Sequence, residues 1–322
     1  MEAWTRSEEA DPFAHPTHVD LFSPGNDSAF CAVLTVDDGQ VLLPFVLRTI
    51  QFSDHVDVTS AYGYGGPFVS GTVSRSDLEG FWEALDGWSR ARGVVSEFIR
   101  FSTSPDDDAF AYQGDVVHRS TTVVRVLDLD AEALWMDFDH KVRKSVNKAR
   151  RNGVTVTVDT TGERLDEFLG IYAGTMSRRE ADERYLFPRD FFERIRDEMS
   201  GSYAFFHADL EGVMISTELV LVGRRTLYSY LGGTDERHFA VRPNDMLKFE
   251  VMNWGQTQGK TEFVLGGGAS PGDGIERYKL SFAPQGARRF YTGQRVVDAE
   301  AYRELSGPGE DEFFPAYRRT RS

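Results

Sequence analysis

Two β-rich runs, Ala29 to Val36 and Val41 to Ile50, flank Asp37-Asp38-Gly39, and that junction constrains the fold more than any other feature of the chain. An Asp-Gly step between apolar runs turns the backbone straight back on itself, so the two runs pair antiparallel. The same grammar returns later. Three strand-like runs, Tyr203 to Asp209, Val213 to Val222 and Thr226 to Gly232, are separated only by Leu210-Glu211-Gly212 and Gly223-Arg224-Arg225, which predicts a meander. Helical patterns lie between these groups: Ser76 to Arg92, with apolar positions Leu78, Phe81, Trp82, Leu85 and Trp88, then Ala131 to Arg151, Arg164 to Arg178, Pro188 to Met199 and Pro243 to Gln258. Further strands are read at Val94 to Ser102, Ser120 to Leu127, Val154 to Asp159 and Thr261 to Leu265. Antiparallel meanders mixed with helices in this order indicate α+β layers rather than a doubly wound parallel sheet.

At 322 residues the chain exceeds the usual size of one hydrophobic core, and two domains follow as the expectation. The long helical pattern Ala131 to Arg151 is read as the hinge between halves, which places the domains at 1–135 and 136–322. The polar ends, 1–11 and 307–322, are read as loosely ordered. The N-terminus lacks a basic start and an apolar core, and no apolar run reaches membrane-spanning length, so a cytoplasmic protein without stable membrane insertion is expected. A formal charge of −15 disfavours coating a nucleic acid with the whole protein surface, and DNA is not an expected partner.

The single cysteine, Cys31, excludes a disulfide framework and lies in the apolar run Phe30 to Leu34, where it reads as a buried small hydrophobe rather than a nucleophile. The seven histidines show no metal-ligand spacing, and no metal is expected. A nucleophile elbow, a Walker loop and a dinucleotide fingerprint are missing as well, which removes the usual signatures of covalent catalysis and nucleotide hydrolysis.

Three segments carry candidate chemistry. Lys141 to Arg151 holds six cations in eleven residues, with Lys141, Lys144, Lys148 and Arg151 on one helical face and Val142, Val146 and Ala149 on another. Either this is a solvated face whose cations complement the helix C-terminus, or it is an edge for the phosphates of a substrate or an RNA backbone. Gly266-Gly267-Gly268 lets a ligand approach the backbone closely, or simply turns the chain. Lys279, between Tyr278 and Phe282, is either a desolvated charge stabiliser or a snorkelling surface lysine. Glu218, inside the apolar strand Ile215 to Val222, is a candidate proton acceptor; the competing reading pairs it with Arg225 or turns it to the surface.

Four ordered segments together resemble the FemAB-like branch of the GNAT superfamily: Tyr62-Gly63-Tyr64-Gly65-Gly66-Pro67, the basic helix ending Ala149-Arg150-Arg151-Asn152-Gly153, Arg242-Pro243-Asn244-Asp245-Met246-Leu247-Lys248, and Phe263 to Gly268 through Tyr278-Lys279. The resemblance spans roughly residues 12–300. It implies two fused GNAT-like domains built of mixed, largely antiparallel sheets flanked by helices, with residues after about 285 returning to the first domain and a site in the cleft between halves. It further implies an N-acyltransferase that moves an aminoacyl group from aminoacyl-tRNA to an amine of a peptidoglycan precursor or a related peptide or small amine, with no tightly bound cofactor. Acyl-CoA, or an acyl-carrier protein, is the alternative donor, for an amino sugar or small amine; a non-catalytic GNAT-fold binding protein is a third reading. Carried over by position, Lys279 matches the family lysine that stabilises the reacting ester or the tRNA terminus. Arg143, Lys144 and Lys148 fall where phosphates of a substrate, such as a phosphorylated cell-wall precursor, are held. Tyr64, Gly65, Arg242, Asn244, Gly267, Gly268 and Tyr278 complete the expected substrate-binding set. Two departures are plain: the chain has no charged heptad insertion for a coiled-coil arm, and near Arg237 to Asn244 the usual coenzyme A pyrophosphate loop is reduced to Arg242 and Asn244.

Overall fold

Asp37 and Asp38 form the two-residue turn between β1 (Ser28–Val36) and β2 (Gly39–Thr49), with Val36 opposite Gly39 closing an antiparallel ladder nine pairs long. The computed structural model describes residues 2–6, 11–102, 111–268, 270–307 and 313–319. The chain divides into two compact units, Met1–Ser120 with Arg289–Ser322, and Thr121–Arg288.

The first unit begins with α1 (Glu2–Arg6) and α2 (Pro16–Asp20), then β1, β2, β3 (Val56–Thr59), β4 (Phe68–Gly71), α3 (Arg75–Ala91) and β5 (Val94–Arg100). β6 (Asp115–Val126) leads into the second unit, which continues through α4 (Ala131–Asp137), α5 (His140–Arg151), β7 (Thr155–Asp159), α6 (Leu165–Arg178), α7 (Arg189–Glu198), β8 (Tyr203–Leu210), β9 (Val213–Val222), β10 (Thr226–Thr234), α8 (Pro243–Thr257), β11 (Glu262–Gly266) and α9 (Gly274–Leu280). β12 (Ala287–Val296) and α10 (Ala299–Ser306) return to the first unit.

In the first unit the strand order is β1-β2-β3-β5-β12, with β4 also on β2; in the second it is β6-β11-β10-β9-β8-β7. Neighbours are antiparallel except β3 with β5 and β10 with β11, which makes the architecture α+β. α3 starts in a capping box between Ser74 and Asp77, and its 3.6-residue spacing buries Leu78, Phe81, Trp82 and Leu85 in the first core, each worth about 1.5–3 kcal/mol. The second core gathers Val142, Val146 and Ala149 of α5 with Leu247, Val251 and Met252 of α8 and Phe206, Val220 and Phe263 of the sheet.

Four expectations change. The pattern Ala131 to Arg151 is two helices, because Phe138 and Asp139 adopt extended backbone between them. The division drawn at residue 135 moves to Ser120/Thr121, since β6 pairs with β11 and Leu134 of α4 enters the second core. Cys31 is in a strand but exposed, because burial alternates along β1 and Cys31 falls on the open face with Val33 and Thr35. The loose ends expected at 1–11 and 307–322 fall partly outside the described residues; within them Glu2–Arg6 is helical, and Tyr317 and Arg318 are anchored on Asp57.

Asp57 is fully buried and accepts from Arg48 Nε and Arg318 Nε, both at 2.8 Å, and from the Tyr317 hydroxyl at 3.1 Å. A buried carboxylate is tolerable only when so surrounded by donors. Tyr317→Phe is therefore expected to lower the unfolding free energy by about 1–2 kcal/mol in a urea titration. No measurable change would mean that the tail does not hold Asp57 in solution.

Candidate active site

The second unit contains a cavity of about 770 Å³, and the strand ladders explain why it opens where it does. β10 pairs with β11 only from Thr226 to Tyr228, opposite Glu262 to Val264. Directly afterwards the β9–β10 register shifts between Ser229 and Leu231. A bulge of this kind bends a strand away from its neighbour and re-aims its side chains. Ser229, Leu231 and Gly232 accordingly line the cavity on one side, with Thr217 and Glu218 beside them on β9.

α8 supplies the second wall. Arg242 holds left-handed backbone (φ 62°) just ahead of Pro243, whose fixed φ suits the first helical position. Asn244, Asp245 and Lys248 then fall on one face, three and four residues apart, while Leu247, Val251 and Met252 are buried in the core. α9 supplies the third wall. Asp273 caps it by accepting from Glu276 N at 2.7 Å, and its last turn presents Tyr278 and Lys279 to the cavity.

Lys279 is half-buried and donates from Nζ to the Gly267 carbonyl at 2.6 Å. Burial pushes its ammonium down to about 8, helped by the charge of Lys248 and opposed by Glu218 and Asp273. Glu218 is buried and ion-paired with Lys248, whose Nζ also donates to Ser229 Oγ at 2.7 Å. The second oxygen of Glu218 has no hydrogen-bond partner among the described residues. Asn244 Nδ2 donates to the Tyr278 hydroxyl at 2.8 Å. Burial, with the charges of Asp245 and Glu218, holds that phenol well above its usual range.

The cavity thus collects Lys279, Glu218, Arg242, Asn244 and Tyr278 from the expected set. Gly267 contributes its carbonyl to Lys279. Gly268 serves packing instead: a Cβ there would lie 2.5 Å from Asp273 Oδ1, against the cap of α9. Arg143 and Lys144 line a different recess, with Trp135, His140, Asn147, Arg150 and Arg151. Arg143 spends one of its nitrogens on the carbonyls of Met136 and Phe138, closing the end of α4. Lys144 and Lys148 are exposed on α5. Tyr64 and Gly65 belong to the first unit, where Tyr64 packs edge-on against Phe13 and Phe290. Gly65 is a matter of close packing, since a Cβ would sit 2.2 Å from Ser60 Oγ.

Sequence reasoning missed Lys248 and Asp245. Lys248 was visible as the only cation of the helical run Met246 to Val251, and its partner is Glu218, so neither Arg225 nor solvent balances that carboxylate. Asp245 lies between Asn244 and Met246 at the start of the same helical pattern, where nothing in the sequence marks it for a role.

Residues 137–280 match the model of the acetyltransferase (GNAT) domain, which covers α5 to α9 and every wall of this cavity. The chain thus carries a GNAT-type acyltransferase domain over these residues, and its fold is GNAT-like. Its whole fold is similar to that of FemX, with a TM-score of 0.75 at 13% identity, over 94% of this chain and 96% of that one. L-PGS from Bacillus licheniformis follows the fold at a TM-score of 0.59 and 15% identity, over 91% and 90% of the two chains. The C-terminal domain of a putative lysylphosphatidylglycerol synthetase from Agrobacterium fabrum does so at 0.57 and 13%, over 89% and 88%. No curated protein matches the chain in sequence. Among the described residues, no helix is long and apolar enough to cross a membrane.

Proposed function

We propose that this protein transfers an aminoacyl group from aminoacyl-tRNA to an amine of a peptidoglycan precursor or of a related peptide or small amine. The observation that carries the reading is a GNAT-type cavity holding a lysine, Lys279, that is fixed on the Gly267 carbonyl and retains ammonium protons for a second acceptor. The amine attacks the ester carbonyl directly. Both substrates are oriented in one cavity, and the ammonium of Lys279 stabilises the oxygen that becomes negative. Glu218 acts through Lys248, fixing that second ammonium beside the first. The likeness to FemX, and to a synthetase whose name joins a lysyl group to a lipid headgroup, supports an aminoacyl donor.

A second reading, with acyl-CoA as donor and an amino sugar or small amine as acceptor, is favoured by the family of the matched domain, which is described as an acetyltransferase. The two separate in one experiment: the purified protein is incubated with mixed aminoacylated tRNA or with an acyl-CoA panel, each with amine acceptors, and the products are weighed by mass spectrometry. New amides carrying an amino acid are expected. Amides formed only from acyl-CoA would replace the first reading with the second. Cytoplasmic residence is part of the proposal, since charged tRNA is found there; recovery of the protein outside the cell would contradict it.

A further inference from the structure

We propose that Asp245 binds the acceptor as a charged ammonium and takes its proton, which makes the acceptor a protonated aliphatic amine rather than a hydroxyl. This rests on the acyl-transfer reading of the same cavity and adds the acceptor's chemistry to it.

Two carboxylates, Glu218 and Asp245, face the cavity that Lys279 lines. They are not equivalent. Glu218 is nearly sealed from solvent, and its charge is neutralised by Lys248 in a buried pair, so it is a poor site for a second cation. Asp245 is half-buried, open to the cavity, and among the described residues has no cation within ion-pair distance. Its surroundings come from three elements: the Ser145 hydroxyl and the Lys141 charge on α5, Arg242 ahead of α8, and the Tyr278 phenol on α9. Glu218, Lys248 and Lys279 line the same cavity. Burial lifts the Asp245 carboxyl to about 6, and Arg242, Ser145 and Lys141 only partly oppose this. A carboxylate with that affinity for protons is ionised at neutral pH yet accepts a proton readily, which suits a general base.

In the step itself, one N–H bond of the ammonium breaks and its proton moves to an Asp245 oxygen. The freed lone pair forms the C–N bond at the acyl carbon. The bond from that carbon to the leaving oxygen breaks, or to sulfur if the donor is a thioester, and the leaving atom takes a proton that the nitrogen sheds. Asp245 returns its proton to water. A hydroxyl acceptor carries no positive charge for Asp245 to hold.

The test compares wild type, Asp245→Asn and Asp245→Glu with whichever donor supports wild-type turnover, aminoacyl-tRNA or acyl-CoA, so that failure of the donor assignment shows in the wild type alone. Two acceptors are used: Nα-acetyl-lysine amide, protonated at neutral pH, and methoxyamine, neutral at neutral pH. With the lysine compound, Asp245→Asn is expected to lose about 10²-fold in kcat/KM, together with the rise of activity through pH 6, and Asp245→Glu to recover part of both. With methoxyamine the loss is expected to be under about 5-fold, since no proton needs removing before the attack and the one shed afterwards goes to the leaving atom. Equal losses with both acceptors, or no loss with either, would overturn the proposal. Calorimetric binding of Nα-acetyl-lysine amide gives a readout without turnover: about 10-fold weaker binding to Asp245→Asn is expected, and unchanged affinity would contradict the ammonium site.

Discussion

Replacing Lys279 by Ala is expected to reduce kcat/KM by about 10²–10³-fold, the usual cost of removing one donor from an oxyanion site, while the melting temperature changes little. The side chain is half-buried and makes one hydrogen bond, to the Gly267 carbonyl, so folding loses little when it goes. The transition state loses an ammonium in a cavity where water screens it poorly. The pH profile gives a second readout. Because burial holds Lys279 near 8, its ammonium is present below that value and absent above it, so wild-type activity is expected to fall as pH rises through about 8. Lys279→Arg, which stays charged, is expected to remove that alkaline limb even if its rate is lower. Unchanged turnover in Lys279→Ala would take the residue out of the reaction.

The largest stability effect is expected at Lys248. Its ion pair with Glu218 is buried on both sides, with 8% and 5% side-chain exposure. Lys248→Met leaves an uncompensated carboxylate in the core of the second unit, which costs about 3–5 kcal/mol. Unfolding followed by urea should show that loss, and Lys248→Met combined with Glu218→Gln should recover much of it, because a neutral amide needs no counter-charge. The same variant carries an electrostatic signature. Lys248 lowers the Lys279 ammonium and Glu218 raises it, so removing Lys248 alone is expected to move the alkaline limb above 8. A stable Lys248→Met protein with an unshifted limb would show that the pair neither supports the core nor feels Lys279.

Local signals in the sequence reached their targets; tertiary ones did not. The Asp37-Asp38-Gly39 turn sets the β1–β2 register because a two-residue loop leaves no slack. The β8 to β10 meander was legible for the same reason. On α5 the spacing of Val142, Val146 and Ala149 marked the buried face correctly. Charge alone could not divide the labour among its cations: Arg143 is drawn onto the free carbonyls at the end of α4, a need created by a helix break that periodicity had passed over. Cys31 sits in an apolar run, yet a run that is apolar on both faces does not say which face is open.

The site divides in the same way. Lys279, Arg242, Asn244 and Tyr278 were singled out through segment resemblance and Glu218 as a carboxylate inside an apolar strand, and one cavity gathers them. The partner of Glu218 is thirty residues away on a helix, a pairing fixed by where α8 crosses the sheet and invisible to spacing along the chain. Asp245 gave no signal of its own, since its basicity arises from burial in a cavity that exists only in the fold.

The central claim is that acyl transfer takes place beside Lys279. It is tested most directly by a crystal structure with a stable donor mimic, 3′-amino-3′-deoxyadenosine carrying an amide-linked amino acid. The account expects the amide oxygen about 3 Å from Lys279 Nζ, with the α-carbon side of the carbonyl facing Asp245. A mimic bound outside this cavity, or one whose carbonyl turns away from Lys279, would contradict it.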